Sequence, residues 1–154
     1  MENSFDISSL IHKGGVFRDV EGSTPEEIYE KVCKMLDLPD SITSDQVYNA
    51  LCAREKILST AVGNGIALPH ARTPIMKDES DQKICIVYLK EPLDMKAPDE
   101  KKVTVMFILL TQNSQTHLRV LSTLVGLFRK NSFRKLLEEK AGEAQLINAI
   151  RELD

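Results

Sequence analysis

Two of the three histidines in the chain stand in settings that suit chemistry. His70 follows Pro69 at the end of a segment that begins Gly63-Asn64-Gly65. Glycines let a backbone approach a partner closely and leave N–H groups free to face an anion. Histidine is a nucleophile or an acid–base group near neutral pH. The residues alone leave open a second interpretation, in which His70 is an ordinary turn histidine.

His117 lies near the start of a predicted helix. With Ser114 as the N-cap, His117 becomes the third helical residue and shares a stripe with Leu121, Leu124 and Phe128. A helix N-terminus disfavours the imidazolium and attracts anions, so a neutral ring there could donate a hydrogen bond to a phosphoryl oxygen. The alternative is a half-buried histidine satisfied by a backbone group.

Other charged side chains carry weaker signals. Arg54 falls near the end of a predicted helix, where it either complements the helix dipole at the surface or forks onto a phosphoryl group. His12 has no supporting pattern and is expected to be solvated. The basic stretch 129–135 is predicted to be a solvated corner between two helices.

Several cofactor motifs are missing from the sequence. There is no G-x-x-x-x-G-K-[ST] loop and no G-x-G-x-x-G, and no His/Cys/Asp spacing resembles a zinc site. We therefore expect neither a cofactor nor a metal. Cys33, Cys52 and Cys85 are widely spaced and without a C-x-x-C, which favours buried, reduced thiols.

The elements that must position these residues alternate between strand and helix patterns. A short extended piece at 66–68 precedes His70, and nearly continuous apolar runs at 83–89 and 103–110 are typical of strands covered on both faces. Helix starts are predicted at Thr24-Pro25 and at Thr43, each with a Glu or Gln three residues after the threonine, and further helices from about 115, over 131–139 and over 143–152. We predict an α/β fold: a single domain over residues 14–154, with a buried mixed β-sheet flanked by helices on both faces. Residues 1–13 are predicted to be a lightly ordered lead-in.

Composition narrows the class of protein. A chain of 154 residues is the size of one ordinary domain, and its net charge of −3 argues against a nucleic-acid binder. The longest apolar stretches, 84–89 and 105–110, are far shorter than the ~20 residues that span a bilayer, and no secretory signal is recognised, so we expect a cytoplasmic protein without membrane insertion.

One segment carries a family resemblance. The residues Arg54-Glu55-x-x-x-Ser59-Thr60-x-x-Gly63-x-Gly65-Ile66-Ala67-Leu68-Pro69-His70-Ala71-Arg72 resemble the active-site signature of enzyme IIA of the bacterial phosphoenolpyruvate-dependent phosphotransferase system, fructose/mannitol/nitrogen type. His117 falls where that family has its second active-site histidine. The resemblance extends from Val16 to the last predicted helix.

The resemblance implies a role for each of three residues. His70 would receive a phosphoryl group from the small phosphocarrier HPr or its nitrogen-branch counterpart, His117 would hydrogen-bond the phosphoryl oxygens, and Arg54 would help to neutralise their charge. Transfer between two histidines needs in-line approach and charge stabilisation, and neither a nucleotide nor a metal. An apolar rim for the incoming carrier is expected from Ile66, Leu68, Val120 and Leu124.

The resemblance leaves the branch of the family open. Two residues depart from the family pattern: Ala61 replaces a frequent glycine, and Asn64 stands where some sugar-transport members have glutamate and nitrogen-type members often have asparagine. With no IIB or membrane IIC segment recognised in the chain, this favours a nitrogen-type regulatory protein over a sugar-transport enzyme IIA that passes phosphate to a IIB domain. A third alternative is a regulatory module that binds a kinase or transporter without transferring phosphate, and a metal-dependent hydrolase lacks ligands.

Overall fold

The computed structural model describes residues 6–152, within which it contains five strands and six helices. The strands are β1 (Val16–Val20), β2 (Ala61–Gly63), β3 (Ile66–Ala67), β4 (Lys83–Leu93) and β5 (Val103–Leu110). The helices are α1 (Ile7–Gly14), α2 (Pro25–Met35), α3 (Ser44–Ile57), α4 (Ser114–Phe128), α5 (Asn131–Glu138) and α6 (Glu143–Glu152).

The strands form one mixed sheet in the order β1-β4-β5-β3-β2. The long central pair β4 and β5 is antiparallel, with Cys85 opposite Ile108, while β1 runs parallel to β4 and β3 runs parallel to β5. Strand β2 closes the other edge by antiparallel pairing with β3. Because β3 is parallel to β5, the chain leaves β3 beside the carboxyl-terminal end of β5, and this is where His70 lies.

Alternate side chains of the central strands feed two separate cores. On one face Cys85 and Val87 pack with residues of α2 and α3 such as Ile28. On the other face Ile84 and Ile86 pack with residues of α1, α4, α5 and α6. Both faces are thus covered, which explains the unbroken apolar runs in β4 and β5. The predicted fold class, an α/β domain whose buried mixed sheet has helices on both faces, is confirmed.

The predicted helix starts are confirmed by their caps. The Thr24 hydroxyl accepts a hydrogen bond from the Glu27 backbone N–H, and Thr43 forms a reciprocal capping box with Gln46. Leu58 follows the end of α3 and is 69% exposed.

The lead-in prediction is wrong for residues 7–13, and residues 1–5 lie outside the described residues. Asp6 caps α1, and Ile7 and Ile11 are buried against the sheet. Gly14 ends the helix so close to β4 that a Cβ there would lie 2.0 Å from the Ile84 carbonyl oxygen. The physical reason is contact with the sheet: eight residues make a marginal helix in isolation, and tertiary packing stabilises it here.

The three cysteines are confirmed as buried free thiols. Burial raises the pKa of Cys33 to about 12 and that of Cys85 further still, so these thiols stay protonated and behave as core side chains. Among residues 6–152, no helix is both long and apolar enough to cross a membrane.

Candidate active site

His70 is held where β3 ends against β5. The Leu109 N–H donates to the Pro69 carbonyl at 2.9 Å, and His70 forms a parallel bridge with Leu109. The ring is partly buried, and its Nδ1 lies 2.7 Å from the Leu68 carbonyl oxygen. Because a carbonyl only accepts, Nδ1 must carry the hydrogen of the neutral ring. The lone pair on Nε2 is then available as a nucleophile.

The surroundings of His70 favour its neutral form. Burial lowers its pKa, and the positive charge of Arg54 acts in the same direction. The hydrogen bond to Leu68 and the negative charge of Glu55 oppose this shift, with the burial effect the largest. The ring therefore keeps its nucleophilic lone pair at neutral pH.

His117 is the fourth residue of α4, and the predicted N-cap is wrong by one position. Asn113 is the cap: its side chain accepts from the Thr116 N–H at 2.8 Å, and its carbonyl accepts from the His117 N–H at 3.1 Å. Asn113 adopts extended dihedral angles that suit a cap, while Ser114 is already helical. His117 still lies in the first turn, and its ring centroid is 4.8 Å from that of His70.

The environment of His117 keeps it uncharged. Burial, and secondarily His70, lower its pKa to about 4. Its Nδ1 is 3.3 Å from the hydroxyl of Thr111, which is buried. When the Thr111 hydroxyl donates to Nδ1, Nε2 carries the ring hydrogen and can donate it to a phosphoryl oxygen.

Arg54 serves the end of its own helix. Its Nη1 donates to the Leu58 carbonyl at 2.5 Å, which satisfies a carbonyl just after α3. Its charge nevertheless acts on His70, whose pKa it lowers. Both interpretations of Arg54, helix-end surface residue and electrostatic partner of the site, therefore have a physical basis.

Glu55 was missed as a functional candidate by residue-level reasoning. Its carboxylate accepts three hydrogen bonds: from the Tyr29 hydroxyl at 2.6 Å, the Thr60 N–H at 2.8 Å and the Thr60 hydroxyl at 2.7 Å. The sequence did contain a signal, because a carboxylate in the last turn of a helix lies beside the negative end of the helix dipole, which disfavours it. A glutamate at such a position indicates that hydrogen-bond donors elsewhere in the fold compensate its charge.

The Gly63-Asn64-Gly65 turn is pinned rather than open. Its φ angles are +101°, +56° and +79°, a left-handed path that glycine tolerates at both ends. The Asn64 N–H donates to Asp99 Oδ2 at 2.8 Å, and backbone donors at Asn64 and Lys101 lower the pKa of that carboxyl. The prediction that this turn offers N–H groups to an anion is wrong for Asn64, because Asp99 already occupies that donor.

The expected apolar rim is also wrong. Ile66, Leu68, Val120 and Leu124 are all buried, because they pack in the core between the sheet and α4. Exposed apolar side chains of β2 and α4 are Leu118 beside His117, Val62 on β2 and Val125 on α4, which are 64%, 44% and 37% exposed. Ile57 and Leu58 at the end of α3 are 63% and 69% exposed. Val62 and Val125 line one small cleft together with Arg129 and Arg134.

The side chains of the site define the chemistry that it can support. Within residues 6–152, no group of three or more His, Cys, Asp or Glu side chains is arranged to hold a metal ion. What the arrangement provides is one nucleophilic ring nitrogen, one neutral donor beside it and one nearby fixed positive charge. These are the requirements of phosphoryl transfer to histidine.

Comparisons with known proteins find a matching family model and similar relatives. The family model described as "Phosphoenolpyruvate-dependent sugar phosphotransferase system, EIIA 2" matches residues 9–153. The nitrogen regulatory protein of Escherichia coli K12 is 30% identical over 132 residues, which cover 84% of this chain and 77% of that protein. The fructose-specific EIIABC component of Bacillus subtilis 168 is 28% identical over 151 residues, 96% of this chain, but the chain spans only 23% of that longer protein.

A solved structure has the same fold over nearly the whole chain. The crystal structure of nitrogen regulatory protein IIA-Ntr from Neisseria meningitidis superimposes with a TM-score of 0.78 at 28% identity. The match covers 94% of this chain and 98% of that one.

Proposed function

The chain belongs to the EIIA type 2 family of the phosphoenolpyruvate-dependent sugar phosphotransferase system, and from that membership we propose that it carries a phosphoryl group on Nε2 of His70. The observation that supports this most directly is the fixed tautomer of His70, with Nδ1 bonded to the Leu68 carbonyl at 2.7 Å. A neutral histidine ring lies alongside, with its centroid at 4.8 Å.

The transfer step needs no proton acceptor. The donor is a phosphohistidine on an HPr-like protein, whose ring carries a hydrogen on its other nitrogen. When its N–P bond breaks, the electron pair returns to the donor ring and leaves a neutral imidazole. The Nε2 lone pair of His70 forms the new N–P bond, and the resulting positive charge on the ring is stabilised by the Leu68 carbonyl at Nδ1. His117 donates to a phosphoryl oxygen, and Arg54 adds a fixed positive charge.

The carrier protein would dock on the exposed apolar side chains around the two rings. Leu118, next to His117 in the sequence, is 64% exposed. Val62 and Val125 continue the surface beside Arg129 and Arg134. This set replaces the buried rim that the sequence analysis expected.

Within the family we propose the nitrogen-type regulatory branch in the cytoplasm, where phosphorylation state serves as a signal to a regulated kinase or transporter. Support comes from Asn64 and from the similarity to nitrogen regulatory proteins. The similarity to a fructose-specific EIIABC component supports the second candidate, a sugar-transport enzyme IIA that passes phosphate to a IIB domain. Comparing uptake from HPr and from its nitrogen-branch counterpart, and release to a fructose-type IIB domain, separates the two branches.

A labelling experiment tests the carrier function. Incubation with phosphoenolpyruvate, enzyme I and HPr or its nitrogen-branch counterpart should add one acid-labile, base-stable phosphate per chain. His70→Ala should abolish the label, while the matched control His12→Ala should label fully. Full labelling of the His70→Ala protein would contradict the assignment, and the absence of any label on the wild-type chain would favour a binding module that does not transfer phosphate.

A further inference from the structure

We propose that Glu55 is a positioning residue for His70: it anchors a chain of hydrogen bonds that keeps the ring hydrogen on Nδ1 and the Nε2 lone pair exposed to the phosphoryl donor. The inference rests on the proposed function of His70, which it deepens by naming what prepares the ring. Glu55 is hydrogen-bonded to neither ring; apart from its charge, which raises the pKa of His70, its route to the ring runs through Thr60 and Leu68.

The first link ties Glu55 to Thr60. Two donors of Thr60, its N–H and its hydroxyl, bind the carboxylate at 2.8 and 2.7 Å. The hydroxyl of Tyr29 holds the same carboxylate from α2 at 2.6 Å, and Tyr29 is fully buried. A carboxylate with three donors from two directions has a single orientation, and Thr60 is fixed with it.

The second link ties Thr60 to the ring of His70. The Thr60 carbonyl accepts from the Leu68 N–H at 2.9 Å. The carbonyl of the same Leu68 accepts from Nδ1 of His70 at 2.7 Å. The chain therefore runs from the Tyr29 hydroxyl through Glu55, Thr60 and Leu68 to the reactive ring.

The tautomer matters because only one of the two neutral forms can react at Nε2. In water a histidine ring favours the hydrogen on Nε2, the form in which that nitrogen has no lone pair to offer. The Leu68 carbonyl reverses this preference, provided that it points at Nδ1. At metal-bound histidines, outer partners that fix the tautomer typically affect metal affinity or activity by about 10- to 100-fold, and we expect an effect at the lower end of that range here.

The position of β3 does not depend on this chain of hydrogen bonds alone. Strand β5 holds the adjacent Pro69 carbonyl through the Leu109 N–H at 2.9 Å, so β3 stays on the sheet when Glu55 changes. In Glu55→Gln the amide oxygen can still accept from the Thr60 N–H, while the amide nitrogen faces the two hydroxyls, which must then accept. The charge-assisted bonds of the carboxylate are thus replaced by weaker neutral ones at unchanged side-chain size. We therefore expect a folded protein in which the Leu68 carbonyl is held less firmly towards Nδ1.

The test reads the tautomer directly. Proteins labelled with ¹⁵N at histidine are compared by NMR at neutral pH, with the His70 signals identified by their loss in His70→Ala. Glu55→Gln should shift a substantial fraction of His70 to the Nε2–H form and slow phosphoryl uptake about tenfold. Tyr29→Phe, which leaves both Thr60 contacts in place, should give a smaller shift of the same sign.

Two matched control variants show whether the effect is specific to this chain of hydrogen bonds. Tyr88→Phe removes another buried tyrosine hydroxyl, one that donates to the Ala141 carbonyl at 2.7 Å away from the site, and Glu138→Gln removes an exposed charge on α5. Both should leave the His70 tautomer and the uptake rate unchanged. Should Glu55→Gln fail to fold, Thr60→Val makes the same test, because it deletes one Glu55 contact and keeps the Thr60 backbone.

The outcomes separate this inference from the carrier function. A His70 ring that keeps its hydrogen on Nδ1 in Glu55→Gln and Thr60→Val overturns the positioning role, whatever the uptake rate. A shifted tautomer in a protein whose wild-type form takes no label on His70 sustains the positioning role and overturns the carrier function.

Discussion

Two histidine-bearing regions of the molecule hold their rings in opposite ways. In the first, the side chain of His12 is 77% exposed, and its Nδ1 lies 2.7 Å from a carboxylate oxygen of Glu143. In the second, His70 and His117 are partly buried, and their Nδ1 atoms face a backbone carbonyl and a threonine hydroxyl. A carboxylate holds the first ring, while neutral partners hold the other two.

The two regions also differ in the shape of the surface, because open clefts lie beside His12 and not beside His70 or His117. Two clefts of about 500 and 390 Å³ open around Lys13 and His12, and neither is lined by His70 or His117. Cavity volume is a guide to small-molecule sites. A ring that exchanges a phosphoryl group with another protein needs a defined tautomer and an approachable nitrogen, and no deep cavity.

The first prediction, with the largest expected effect, concerns His117. His117→Ala should still accept phosphate on His70 but pass it on about 10²- to 10³-fold more slowly, because one preorganised donor to the developing charge is lost. The measurement is loss of label from the phosphorylated protein after a dephosphorylated carrier is added. His12→Ala should match wild type, and an unchanged rate in His117→Ala would leave His117 as a merely structural residue.

The second prediction separates charge from hydrogen-bond geometry at Arg54. Arg54→Lys keeps the charge and loses the planar fork, and Arg54→Gln loses both, so uptake should fall in the order Arg, Lys, Gln, by about tenfold or more at the end of the series. Free energies of unfolding should change by only ~0.3–1 kcal/mol, because the helix-end contact with Leu58 is near the surface.

Both quantities are measured on the same three proteins. Equal uptake across the series, with small changes in stability alone, would assign Arg54 to the end of α3 and leave the two histidines to carry the mechanism.

Much of the fold could be predicted because its signals are local. The caps at Thr24 and Thr43 and the apolar runs of β4 and β5 each depend on a few adjacent residues. Helix α1 was missed because its stability comes from contact with β4, far along the chain. A short amphipathic segment gives little evidence of that contact in advance.

The reactive residues of the site could be predicted from the sequence, but the side chains that contact them could not. The sequence nominated His70 and His117, and the fold brings their rings to 4.8 Å. The predicted rim is wrong because the sequence patterns around Leu68 and Val120 fit either a surface or a core position. Packing between the sheet and α4 buries both side chains. The role inferred for Glu55 depends on Tyr29, which is distant in sequence.

The third prediction compares the two histidine regions by their response to acid. Because burial lowers the pKa of His117 from 6.5 to about 4, the unfolded chain binds more protons than the folded one between those values. The resulting stability is present above about pH 6.5 and is lost as the pH falls through about 4. Allowing for partial exposure, we expect a loss of order 2 kcal/mol.

Chemical denaturation at several pH values measures this effect. His117→Gln should flatten the slope between pH 6.5 and 4, whereas His12→Gln should leave it as in wild type. A slope that depends on His12 instead would reverse the assignment of buried and solvated rings.

The last prediction has the smallest effect and concerns the His12 region alone. The pair His12–Glu143 joins side chains that are 77% and 35% exposed, and exposed pairs contribute only about 0.2–1 kcal/mol. Glu143→Gln should therefore lower the free energy of unfolding by no more than about 1 kcal/mol. Phosphoryl uptake should be unchanged, because neither residue belongs to the chain of hydrogen bonds that leads to His70. Chemical denaturation, paired with the labelling assay, measures both quantities. A slower uptake in Glu143→Gln would mean that the two histidine regions are coupled through α1 and the sheet, and the distinction between a structural region and a reactive region would no longer hold.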